Sequence, residues 1–486
     1  MTGIDAGIVI AYFAILIGIG VYSSKKANTS EGFLVAGHRL GFGVTFACLC
    51  AVLLGGTSTI GTTALGYQFG ISGIWLASML GLGLALVGIL LIRRIKGLKV
   101  LTVAELLSKR YGSSAGIIGA IVASLYAMMT CATQIIAMGT IVQSLFGIDP
   151  GMSMFIGGCV VIVYTILGGM WAITLTDFIQ FILIVVGVML VMLPCCLNAA
   201  GGLGNVVSTL PSSYMDIASI GWPTIIQYIF LYCLGALVGQ DLWQRYMTAK
   251  SVKVARHSGI AAGIFILFYA IACALIGMAA AVFMPGAENA QLVFASMANS
   301  VLPVGALGLV LAAVLAVLMS TASGTLIASS SLLTNDVIKP LAVYLRTRSG
   351  KAAMEEFEKD KALLKASRLV TACVGVVALV IALFLNDVIA ALDVSYAILS
   401  GALFFPIIMG MFWRRASGKA AIVSIVASSI VIFVGLLTLG LTDIRPIAMG
   451  LVVSVVLMVA ISLHDKSPRP EFASKTTEEL EAAEEN

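Results

Sequence analysis

Four hydroxyl residues stand close together in an apolar run: Ser320, Thr321, Ser323 and Thr325 in VLAAVLAVLMSTASGTLIASSSLLTND (310–336). On a helix, residues three and four apart are neighbours, so the carbonyl of Val317 lies beside the side chains of Ser320 and Thr321. Two hydroxyls and a carbonyl are neutral oxygens, a donor set that suits a hard, singly charged cation such as sodium. The competing assignment is hydroxyls bonded back to their own helix. A second run, VLLGGTSTIG (52–61), sets Gly55 and Gly56 before Thr57, Ser58 and Thr59. These residues weaken a helix. Unwound backbone at membrane depth is tolerated where it lines a cavity or is buried in protein; close packing of small residues between helices would give the same composition.

The elements that must carry these residues follow from composition. Of 486 residues, 60% are hydrophobic and only 10% charged, against about a quarter charged in soluble domains. The solvent is therefore a bilayer. The alternating pattern of an outer-membrane barrel is missing, and continuous apolar runs take its place. The fold is expected to be all-α, an integral membrane protein with about thirteen transmembrane helices. The spans run roughly over 4–22, 40–67, 72–92, 115–146, 151–170, 174–194, 222–247, 258–283, 303–336, 368–386, 388–412, 419–440 and 445–463. The first is not a cleaved signal, because Lys25 and Lys26 follow the apolar run and no base precedes it. The domain expected is one transporter unit over 1–464, with a polar, disordered cytoplasmic tail over 465–486.

Charge sets the direction. With the N-terminus outside and the C-terminus inside, every Lys and Arg of the 28 except Arg445 falls on the cytoplasmic side. The net charge of +5 then reflects topology and implies no nucleic-acid partner. The charged segment 340–367 reads as a helical cytoplasmic loop. Nine cysteines and three histidines show no metal-ligand spacing, and no GxxxxGK[ST] loop supports an ATP-driven pump. Of 23 acidic residues, only Asp177 and Asp393 fall clearly within spans; Asp241 and Asp336 lie near cytoplasmic ends. Ionisable groups at that depth are usually functional, although Asp177 is close enough to its span's start to be interfacial.

Three stretches in order, YTILGGMWAITLTDFIQ (164–180), MSTASGTLIASSSLLTNDV (319–337) and FPIIMGMFWRRASGKAA (405–421), with a weaker fourth, QDLWQRYM (240–247), resemble the sodium:solute symporter family. That group includes sodium/proline, sodium/glucose, sialic-acid and choline transporters. The resemblance implies a LeuT-type 5+5 inverted repeat, with first-repeat spans over about 40–194 and second-repeat spans over about 222–412. The first helix of each repeat would be broken, at VLLGGTSTIG and near Gly235–Gly239.

Carried over residue by residue, the resemblance implies a sodium site from the carbonyls of Ala51, Leu54 and Val317 and the hydroxyls of Ser320 and Thr321. Asp177 and Ser323 match ligands of a second sodium, but Gly324 stands where relatives often have Ser. Substrate-binding candidates are Gly55, Gly56, Thr57, Ser58, Thr130, Thr133, Gln134, Gln227, Tyr228, Tyr232, Asp393, Ser395 and Tyr396. Leu53 and Thr130 occupy positions of a choline-type tryptophan cage, and Thr130 the position of an arginine that grips sialic acid, so neither recognition mode is complete. The function expected is not enzymatic. It is a sodium-coupled symporter in the plasma or inner cell membrane, multi-pass, taking a small polar solute such as an amino acid. Its partners are Na+, that small-molecule solute and the lipid bilayer, while the oligomeric state is not readable. Proton coupling through Asp177, a channel and a membrane sensor are the alternatives. A channel needs a continuous polar pore, and a sensor of this family a fused signalling domain.

Overall fold

The computed structural model describes residues 2–25, 29–35, 39–98, 100–348, 356–385, 388–441 and 443–466. Most of the expected tail, and part of the loop expected over 340–367, lie outside them. Among the described residues the chain is helical throughout, with only an isolated bridge between Leu40 and Ala249. Among the described residues, ten helices are long and apolar enough to cross a membrane, and eleven if the bent pair Trp222–Val238 and Gln240–Thr248 is one span. The hydropathy expectation is higher because two of these runs turn at a glycine. Thr57–Gly97 passes through Gly70 (φ 65°), and Pro150–Ala199 passes through Gly169 (φ 53°). Phe268, Phe433, Leu437 and Val452 are among many large apolar side chains left exposed on helix flanks, as surfaces facing acyl chains require.

Helix starts are written locally. Asp149 accepts from the Met152 N–H at 3.1 Å and precedes Pro150 at the first helical position. Thr102 and Ser251 cap Val103–Tyr111 and Val252–Phe283 in the same way. Close packing uses glycine where backbone meets backbone. A Cβ on Gly277 would come within 2.2 Å of the Thr63 carbonyl, and one on Gly263 within 2.5 Å of the Gly81 carbonyl. These contacts seat Val252–Phe283 against Thr62–Phe69 and Trp75–Leu86.

The basic loop residues gather at one end. Arg94 donates to the Met411 carbonyl and Lys96 to that of Ala249. Arg110, fully buried, donates to the carbonyls of Gly410 (3.1 Å) and Ala416 (2.9 Å), closing the C-terminal end of Val388–Phe412. Uncharged loop contacts mark the opposite end: Tyr214 donates to the Tyr67 carbonyl (2.9 Å), and the Trp75 indole to that of Ile217 (2.7 Å).

Gly169 lies within the expected YTILGGMW motif and bends its run at φ 53°, ψ −144°, a conformation that side chains rarely adopt. A Cβ there would also meet the Phe33 ring and carbonyl at 2.5 Å. Gly169→Ala is expected to cost about 1–3 kcal/mol from the backbone alone. It should lower the thermal midpoint of the detergent-solubilised protein, whereas an unchanged midpoint would contradict this account of the bend.

Candidate functional site

Two helices are interrupted, both near the middle of the molecule. The first, Phe42–Leu53, stops at Leu54 (φ −77°, ψ 65°) and resumes as a wide-turned segment over Thr57–Gly61. The second bends by 43° at Gly239, within the stretch 235–239 where the sequence implied it. The first break is held by side chains rather than by regular helix bonds. Ser58 donates to the carbonyls of Leu53 (2.6 Å) and Gly55 (3.1 Å). The Gly56 N–H donates to Gln134 Oε1 at 2.7 Å. Gln134→Ala would leave that buried N–H unpaired, at a cost of about 1–3 kcal/mol. A lower thermal midpoint than Gln134→Glu, which keeps an acceptor oxygen, is the expected result; equal midpoints would remove Gln134 from this role.

The serine-rich helix Ala306–Leu332 lies against this break. Ser320 donates to the carbonyls of Ala51 (2.8 Å) and Val317 (2.9 Å). Thr321 donates to the Val52 carbonyl at 2.9 Å and contacts that of Val317 at 3.4 Å. The hydroxyls and carbonyls of Ala51, Val317, Ser320 and Thr321 thus meet across two helices, rather than bonding only within one. Leu54 is buried and its N–H is satisfied by the Cys50 carbonyl. Val52 supplies the carbonyl that Thr321 reaches on the first helix.

A small cleft adjoins these oxygens. Of the residues named from sequence, Gly55, Thr57, Ser58, Thr130, Gln134, Thr321 and Tyr396 line it. The Thr57 hydroxyl is buried there without a hydrogen-bond partner, an unmet group that a solute could satisfy. Gly56 stands just behind the wall, with Leu318 and Ala137 against it. Thr130 and Ser395 bond to each other at 2.5 Å and both reach the Tyr126 carbonyl. Thr133 bonds back to the Met129 carbonyl of its own helix. Tyr228, Tyr232, Tyr396 and Tyr126 form a chain of rings with centroids 5.2–5.4 Å apart. Tyr232 donates to Asp393 Oδ1 at 2.5 Å, so Asp393 is engaged behind the rings rather than at the cleft wall. Gln227 is half-buried and is not part of that wall.

Among the polar lining residues, one was not singled out from sequence as a site residue. Asp241 is the one ionisable residue in the wall, and its carboxylate accepts from Tyr126 at 3.3 Å. The signal was present, since an acid in the first turn after a broken helix is aimed at the break.

Asp177 and Ser323, which the resemblance matched to a second sodium, have protein partners in this structure. Arg245 donates from Nη2 (2.9 Å) and Nε (3.2 Å) to Asp177 Oδ2, with both side chains fully buried. Ser323 bonds back to the Ser320 carbonyl at 3.2 Å. By charge pattern Arg245 read as one of the basic loop residues. The structure turns it inward because its helix, Gln240–Thr248, is buried along its whole length.

The profile of the sodium:solute symporter family matches residues 33–428. The osmoregulated proline transporter of Bacillus subtilis (strain 168) is 25% identical over 480 residues, covering 94% of both chains. A sodium/proline symporter of Staphylococcus aureus (strain JH9) is 27% identical over 488 residues, covering 94% of this chain and 92% of its own. Among solved structures, a Na+-coupled sialic acid symporter in a substrate-bound outward-open state superposes with a TM-score of 0.81. It shares 20% identity, with coverage of 96% of this chain and 99% of its own. Mhp1, a nucleobase-cation-symport-1 family transporter, gives a TM-score of 0.58 at 15% identity, covering 94% and 98%. These two likenesses show the fold, which is of the LeuT type. With break, serine-rich helix and cleft in place across the matched residues, the chain belongs to the sodium:solute symporter family and is a transporter rather than an enzyme.

Proposed function

We propose that this protein imports a compact amino acid by sodium-coupled symport, with sodium at the junction of the first broken helix and the serine-rich helix. The observation that carries the reading is the convergence of the Ser320 and Thr321 hydroxyls on the carbonyls of Ala51, Val52 and Val317. Neutral oxygens from two helices bind a monovalent cation without requiring a buried carboxylate, and an ion there would tie the helices together. The carbonyl of Leu54, where the helix ends, is the sixth oxygen of this proposed set. Sodium would favour the arrangement in which the helices are joined, and the solute would bind to that arrangement. Rocking of the halves over about 40–194 and 222–412 would then open the cleft to the other face. The basic end of the bundle is assigned to the cytoplasm of a bacterial-type plasma membrane.

The solute class rests on the cleft. It offers hydroxyls, a carboxamide, a tyrosine and one carboxylate, and no Lys or Arg lines it. The backbone N–H groups at the break suit a carboxylate, and Asp241 suits an ammonium group. A zwitterion satisfies both, in keeping with relatives named for proline. Sodium is favoured over protons because Asp177, the carboxylate the sequence offered as a proton carrier, is bound by Arg245. Thermal unfolding with L-proline and other unlabelled amino acids, in sodium and in potassium buffers, tests this reading. Stabilisation by an amino acid only in sodium is expected. Stabilisation by sialic acid or choline while no amino acid acts would refute the solute class.

A further inference from the structure

The family resemblance implies a second cation beside Asp177, and the residues packed there do not fit one. Arg245 Nη2 and Nε both address Asp177 Oδ2, and Nη1 donates to the Asp241 carbonyl at 3.2 Å. The guanidinium is therefore pinned from two sides. Gly324 makes the room: a Cβ at that position would lie 2.4 Å from Nη2, 2.7 Å from Nη1 and 2.9 Å from Cζ. A serine in its place would conflict with a guanidinium that cannot swing away without breaking those bonds. The same glycine withdraws the hydroxyl a second ion would use. Asp177 Oδ1 is left buried without a hydrogen bond, but one carboxylate oxygen is a poor site when a guanidinium already neutralises the group. A cation at Asp177 Oδ1 would also sit close to the guanidinium and be repelled by it.

We infer that Arg245 is a resident cation standing in place of a second sodium, and that Gly324 is the residue that admits it. The inference rests on the sodium reading above and deepens it. The protein carries one sodium per cycle, and the Asp177–Arg245 pair holds permanently the charge balance that a transient ion would otherwise supply. The Arg side chain is tied to its helix and is always charged, so this position contributes structure but no ion-gradient energy.

Equilibrium binding of 22Na+ to the purified full-length chain separates the two claims without needing the solute. Wild type is expected to saturate at one ion per chain, and Ser323→Ala to leave that number unchanged. Ser320→Ala/Thr321→Ala should abolish the site. Arg245→Ala/Gly324→Ser should restore room and a hydroxyl, and saturate at two. Saturation of the wild type at two ions, with one lost in Ser323→Ala, would overturn this inference and leave the sodium reading intact. Binding that survives Ser320→Ala/Thr321→Ala, or no binding by wild type, would overturn the sodium reading and this inference with it. If the Arg245→Ala/Gly324→Ser protein does not fold, the wild-type count still decides.

Discussion

Replacing Ser320 and Thr321 together by alanine is expected to weaken sodium binding by at least about a hundredfold. Each hydroxyl supplies a polar contact to a charged group, worth about 1.5–3 kcal/mol when lost, and tenfold corresponds to about 1.4 kcal/mol. The double variant also removes the hydroxyl bonds to the carbonyls of Ala51 and Val52 at the end of the first helix. Either single variant should shift the sodium dependence of transport by about tenfold or more, upward in concentration. Fluorescence or thermal-shift titration with NaCl reads the effect directly. Unchanged sodium dependence in both single variants would show that the hydroxyls serve helix packing alone.

The second large effect concerns stability. Arg245 and Asp177 are fully buried and address each other, so removing Arg245 leaves Asp177 without its paired cation, and removing Asp177 leaves Arg245 with Asp241 as its remaining nearby carboxylate. Arg245→Ala or Asp177→Asn is expected to destabilise by about 3–5 kcal/mol, the usual cost of breaking a buried pair. The combined variant Asp177→Asn/Arg245→Gln, which removes both charges, should recover a large part of that loss. The double-mutant cycle then yields a clear coupling energy. Additive losses would mean that the two residues are not partners in the folded protein.

How far the sequence predicts the site depends on how local the signal is. The hydroxyl cluster and the weak helix at Gly55–Gly56 were legible because periodicity and helix propensity act over a few residues, while the family resemblance chose a break over close packing there. The bend at Gly239 was located within a few residues by the family resemblance, which implies a broken first helix in each repeat. Arg245 was read as one basic residue among many near a helix end, since burial of a whole short helix is a tertiary property. Asp241 was placed near a cytoplasmic end, because hydropathy fixes depth along a span but not the direction a broken half-helix points. The aromatic chain joining Tyr126, Tyr232 and Tyr396 unites residues from three distant stretches, and no spacing rule connects them. The turn at Gly169 was legible as the boundary between the spans expected over 151–170 and 174–194, but not its backbone conformation. A glycine in an apolar run reads as a packing residue until the backbone shows its positive φ.

The central claim is that sodium ties the first broken helix to the serine-rich helix. Hydrogen exchange of the wild-type protein in sodium, against potassium at equal ionic strength, tests it most directly. Sodium should slow exchange at the amides of 52–58 and 317–325 together, with no such change in Ser320→Ala/Thr321→Ala. Equal exchange in the two salts, or the same protection in the double variant, would contradict the account.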